Sequence, residues 1–129
     1  MTTVLVCALA LAMWSLPLNY IPTLARFAAG GMDWAMSNRD TLPDIPPWAQ
    51  RAERAQRNHF ENLPMLVVAL LVVQLSGQTN PIINLAAVSM VGFRIFHAFA
   101  YIIGIPLLRS LGFFGALLSL LTILWQLLI

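Results

Sequence analysis

Four apolar stretches, each of the roughly 20 residues that a membrane-crossing helix needs, can be drawn on this chain of 129 residues. They leave almost no sequence for anything else. The chain is therefore expected to be all-α: a single integral membrane domain over residues 1–129 whose four transmembrane helices form a bundle in lipid. The helices are expected at about 4–26, 48–74, 81–103 and 106–128, with one long loop at 27–47. Only 9% of the residues are charged, against about a quarter in a soluble domain. An ordinary soluble enzyme is excluded. The seven basic residues are all arginine, and a net charge of +2 set in apolar sequence is no nucleic-acid footprint. A lone cysteine, Cys7, excludes an internal disulfide and any cysteine-based zinc site.

Prolines, glycines and charges place the ends of the helices. Pro17 and Pro22 predict a kink toward the end of the first helix. Met1 to Leu5 contain no lysine or arginine for the basic start of a signal peptide, so this helix is expected to be permanent. Gly30-Gly31, Asp33, Arg39, Asp40, Asp44 and Pro43, Pro46 and Pro47 give the loop its breakers and charge. A second helix from Pro47 to about Gln74 would be roughly 40 Å long, so its arginine-rich start is expected to project beyond the hydrocarbon. Asn80-Pro81 reads as an N-cap and first helical residue, and Gly104 with Pro106 as a stop and restart. Arginines flank the first loop and follow the third turn, whereas the second turn and the termini have none. By the enrichment of arginine in cytoplasmic loops, both termini are expected outside the cytoplasm.

Ionisable residues inside apolar helices are the informative ones, because each costs several kcal/mol unless it faces protein, water or ligand. On the second helix Arg54, Arg57, Asn58 and Glu61 share an arc of about 100°, with Arg51 just outside it. On the third, Arg94, His97 and Tyr101 recur at spacings of three and four and form a second stripe. The two stripes are expected to face inward. One outcome is a buried ion-pair network of Arg54, Arg94, Glu61 and Asn58 that fixes packing and carries no chemistry, with Glu61 as counter-charge. The arginines outnumber the carboxylates, however, and the excess suits a small, multiply anionic ligand entering from the cytoplasmic side. Arg109 lies three residues after Pro106, in the first turn of the fourth helix, where amides are unpaired and the dipole is positive. With Ser110 beside it, it could hold a thiol as thiolate. His59 is expected at an interface or subunit contact, and no metal site is expected.

The run Arg54-Ala55-Gln56-Arg57-Asn58-His59-Phe60-Glu61-Asn62-Leu63-Pro64, together with Arg94, His97, Tyr101 and then Arg109-Ser110, resembles the MAPEG family, the membrane-associated proteins in eicosanoid and glutathione metabolism. The resemblance, to a bacterial-type member, implies a homotrimer in the inner membrane with glutathione as cosubstrate at each subunit interface. It implies that Arg54, Arg57, Asn58, Glu61, Arg94, His97 and Tyr101 hold glutathione, that Arg109 faces its sulfur with Ser110 as helper, and that Arg26 adds a second arginine near the thiol. The expected activity is that of a transferase or peroxidase acting on lipophilic electrophiles that arrive through the bilayer. The alternative is a non-catalytic membrane protein on the same scaffold, its arginines serving assembly or anion binding. Family enzymes often carry further tyrosines on the second and fourth helices; here those places hold Asn62 and Phe113.

Overall fold

The computed structural model describes all 129 residues as four helices and no strand. They are α1 (Thr3–Ala35), α2 (Pro47–Ser76), α3 (Pro81–Ile103) and α4 (Pro106–Leu128), and each contains a window long and apolar enough to cross a membrane. Proline opens three of them at a position where its missing amide has no intrahelical partner to lose. Asn80 caps α3 by accepting a hydrogen bond from the Ile83 amide at 2.9 Å.

The first loop is shorter than the expected 27–47, because α1 runs on through Phe27–Ala35. The one residue inside α1 with non-helical dihedrals is Gly31 (φ 73°, ψ −175°), nine residues beyond Pro22, a conformation nearly confined to glycine. Past this bend the chain folds back on itself. The Trp34 indole donates to the Thr41 carbonyl at 2.6 Å, and the Arg39 guanidinium lies 5.0 Å from the Trp34 ring centroid. Gly30 sits so close to this fold that a Cβ there would lie 2.9 Å from Trp34 and 3.0 Å from Pro43. In sequence these glycines look like loop punctuation; here they let a helical segment turn over the bundle mouth.

Within the bundle α3 packs most extensively on α4 and α1 on α2, while α2 and α4 touch little and α1 and α4 not at all. Small residues make the α3–α4 approach possible. A Cβ on Gly112 would lie 2.8 Å from the His97 Cα, and one on Gly115 would lie 2.5 Å from the Phe93 ring. The main apolar core, including Leu11, Leu70, Val73, Ile83, Met90 and Ile123, fills the half of the bundle nearer the termini. The other half holds a much smaller cluster, Leu18, Ala55 and Ala98. There the interior is polar, with His59, Arg94 and His97 all buried.

Candidate functional site

The short turns at 77–80 and 104–105 reverse the chain, so the C-terminal ends of α1 and α3 meet the N-terminal ends of α2 and α4 at one end of the bundle. Every arginine lies in that half. Arg94 is the deepest, nine residues before the end of α3 and about 13 Å along its axis. Only 2% of it is exposed, and its Nη2 donates to the Asn58 side-chain oxygen at 2.9 Å. This contact ties the polar stripe of α3 to that of α2. Asn62, one turn further along α2, donates its side-chain amide to the Asn58 carbonyl at 2.8 Å and steadies the local backbone.

One turn beyond Arg94, the buried His97 meets the edge of Tyr101, with ring centroids 5.6 Å apart. The Arg109 guanidinium lies 5.1 Å from the Tyr101 ring centroid, a cation–π contact that reaches from α4 to α3. Asn58, His97, Tyr101, Arg109, Ser110 and Phe113 line one cavity of ≈ 210 Å³. Five of the residues singled out in the sequence are thus brought together. The close approach of α3 and α4 at Gly112 makes this geometry, because it sets Ser110 and Phe113 beside His97.

Arg54, Arg57 and Glu61 are placed differently. All three are exposed on the uncovered face of α2, and Glu61 forms no ion pair. The buried network of Arg54, Arg94, Glu61 and Asn58 is therefore not formed within one protomer. Asn58 faces α3 and pairs with Arg94, whereas the stripe of about 100° is wide enough for its other members to turn outward. The one ion pair in the chain is Arg26 with Glu53, a two-pronged contact with Nε–Oε1 at 2.6 Å and Nη2–Oε2 at 2.9 Å. A third Arg26 nitrogen, Nη1, donates to the Pro43 carbonyl at 2.6 Å. Arg26 therefore braces α1, α2 and the loop. It lines a cavity of ≈ 410 Å³ with Arg54, Arg57, Asp44 and Glu53, and the two cavities that Arg109 is seen to line do not include it.

Three residues gain roles that the sequence pattern had not given them. Glu53 partners Arg26 from a position 27 residues away, which no helical periodicity connects. Arg51, at the margin of the polar stripe, donates from Nε to the Ile102 carbonyl at 2.8 Å at the C-terminal end of α3. His59 is not at an interface but 1% exposed against α1, with its Nε2 3.1 Å from the Leu11 carbonyl. A carbonyl only accepts, so Nε2 carries the proton.

No curated protein matches the sequence. The sequence profile of the MAPEG family matches residues 4–129, covering all four helices and both polar stripes. The chain is an integral, multi-pass membrane protein of the MAPEG family.

Proposed function

We propose that the protein is a glutathione-dependent membrane transferase or peroxidase acting on lipophilic electrophiles. The observation that carries this reading is the cavity where Asn58, His97, Tyr101, Arg109 and Ser110 converge, in a chain that the MAPEG profile matches over residues 4–129. Arg109 is held over Tyr101 with its charge available to a thiolate, and Ser110 adds a hydroxyl donor beside it. Arg54, Arg57, Glu61 and the Arg94–Asn58 pair would take the carboxylates and amino group of the peptide. In the transferase reaction the thiol gives its proton to water, and the sulfur bonds to the electrophilic carbon as a leaving group departs with its bonding pair, or as an activated double bond opens and takes up a proton from water. In the peroxidase reaction two thiols become a disulfide while a hydroperoxide is reduced to alcohol and water.

The exposed Glu61, with Arg57 and Arg54 following it toward the bundle mouth on the same face, supports an assembled protein, a homotrimer with glutathione between subunits, because a charged group on an open helix face within the span needs cover. The arginine end would face the cytoplasm, with both termini across a bacterial inner membrane, and the electrophile would enter from the lipid. A second, non-catalytic reading draws support from Asn62 and Phe113, which stand where family enzymes often have tyrosines, and from Arg26, whose donors are spent on Glu53 and Pro43.

Ultraviolet titration of the purified assembly with glutathione separates the two readings. The thiolate band is expected near neutral pH in wild type and absent in Arg109→Ala. Glutathione binding without that band, and without conjugation of a generic electrophile, would leave only the non-catalytic reading. Failure of glutathione to bind at all would remove both the cosubstrate and the enzyme.

A further inference from the structure

Beside the thiol cavity lies a second space of ≈ 130 Å³, lined by Arg51, Arg54, Tyr101, Arg109 and the backbone turn Gly104–Pro106. Tyr101 and Arg109 also line the thiol cavity, so the two spaces are halves of one site with those side chains as their common wall. Three helices bring its ionisable groups together: Arg51 and Arg54 from α2, His97 and Tyr101 from α3, and Arg109 from α4. None comes from α1, and no carboxylate lines either half. Asp44 and Glu53 line the cavity at the mouth instead, and Glu61 stands on the outer face of α2. The positive charge of the site is unopposed from within the protomer.

Of the three guanidinium groups, that of Arg51 is anchored away from the thiol. Its Nε donates to the Ile102 carbonyl at 2.8 Å, a neutral partner that fixes the charge in space without cancelling it. Gly104 lets it lie against the turn. A Cβ at that position would come within 3.1 Å of the Arg51 Nε, and the φ of +89° suits glycine. A fixed and unopposed charge acts at a distance: at about 10 Å, with the effective dielectric of a protein surface, one guanidinium moves the titration of a neighbouring group by about half a unit to one unit. It also acts on Arg109. Like charges repel, so Arg51 and Arg54 on the α2 side press Arg109 toward the Tyr101 ring, 5.1 Å from its centroid, and toward the thiol half.

We propose that Arg51 is a positioning residue of the thiolate site: its charge, held on the Ile102 carbonyl, raises the positive potential around Arg109 and lowers the pH at which the bound thiol ionises. The proposal rests on the thiolate reading of Arg109. All seven basic residues are arginine, so Arg51→Lys introduces a single lysine whose charge acetylation can remove after the protein has folded. The test is the ultraviolet titration of glutathione bound to the purified assembly, for wild type, Arg51→Gln, and Arg51→Lys before and after acetylation. Acetylated wild type controls for the N-terminal amine. The midpoint is expected to rise by about half a unit to one unit in Arg51→Gln. It should stay near the wild-type value in Arg51→Lys and rise by a similar amount once that lysine is acetylated.

A midpoint in Arg51→Gln equal to that of wild type overturns the proposal. So does an equal rise in Arg51→Gln and unmodified Arg51→Lys, which would make Arg51 a structural clamp whose charge is irrelevant. Should Arg51→Gln fail to fold, the acetylation step decides, because it takes the charge from a folded protein; an unmoved midpoint then rules the proposal out. Absence of any thiolate band in wild type removes the thiolate reading and the role of Arg51 together. A wild-type band indifferent to the charge at position 51 removes the role of Arg51 alone.

Discussion

Arg26, nine residues inside the end of α1, and Arg109, in the first turn of α4, have surroundings that give them opposite tasks. Arg26 is 15% exposed and its partner Glu53 28%, with donors committed to the carboxylate and to the Pro43 carbonyl. A guanidinium bound on three nitrogens has little left for a ligand. Arg109 makes one side-chain contact, with a ring face, and keeps its donors. Arg26→Met is therefore expected to destabilise the protein by about 1.5–3 kcal/mol, the range for hydrogen bonds to charged groups. It should leave the thiolate titration unchanged. The double change Arg26→Met with Glu53→Leu should recover part of the loss, because no carboxylate is then left without its partner. Unfolding in mixed micelles measures all three proteins. A lowered thiolate signal in a folded Arg26→Met would return Arg26 to the thiol site.

At the scale of helices, the contact between α3 and α4 decides whether the site residues meet. A methyl group on Gly112 would press on the His97 backbone at 2.8 Å, and backbone cannot step aside. Gly112→Ala is expected to cost about 1–3 kcal/mol, as overpacked cores do, and to move His97 away from Ser110. Gly115→Ala meets the Phe93 ring, which is 39% exposed and can swing outward, so its cost should be smaller. Gly92→Ala meets nothing within 4 Å and should be neutral or stabilising by up to about 1 kcal/mol through helix propensity. Unfolding midpoints that fail to follow this order would place the critical contact elsewhere. The four apolar helices were legible in the sequence, because apolar length and prolines at helix starts are local signals. So was the pairing of stripes on α2 and α3, which left Arg94 and Asn58 in contact. The extension of α1 was not legible, since Gly30-Gly31 and Asp33 read the same in a loop and in a bent helix. Nor were Arg26–Glu53 and Arg51–Ile102, which depend on how separate helices are set against each other.

For the whole molecule, the segregation of arginine to one end predicts a single orientation. With Cys7 replaced by serine, Ser37→Cys should react with a membrane-impermeant maleimide only after the cells are opened. Thr79→Cys, at the other end, should react in intact cells. The reverse pattern would turn the protein over. The outward polar face of α2 adds a stronger constraint. Glu61 lies fifteen residues before Ser76, about 22 Å from the far end of α2, which puts it inside a hydrocarbon layer about 30 Å thick. There it is exposed on a protomer that supplies no ion-pair partner. At the centre of a span an exposed charge costs about 2.5–3.5 kcal/mol by insertion scales; Glu61 lies about 7 Å past that centre, still inside the layer, and Arg57, one turn further on the same face, reaches its edge. Other copies of the chain can cover this face with the same polar groups, as the proposed homotrimer would. Native mass spectrometry in mild detergent is expected to give three times 14.3 kDa. Leucine at Arg57 and Glu61 together should leave a folded protein that no longer binds glutathione, because the groups that would span the interface are gone. A monomer at micromolar concentration, still binding glutathione, would move the ligand from between subunits into the single bundle.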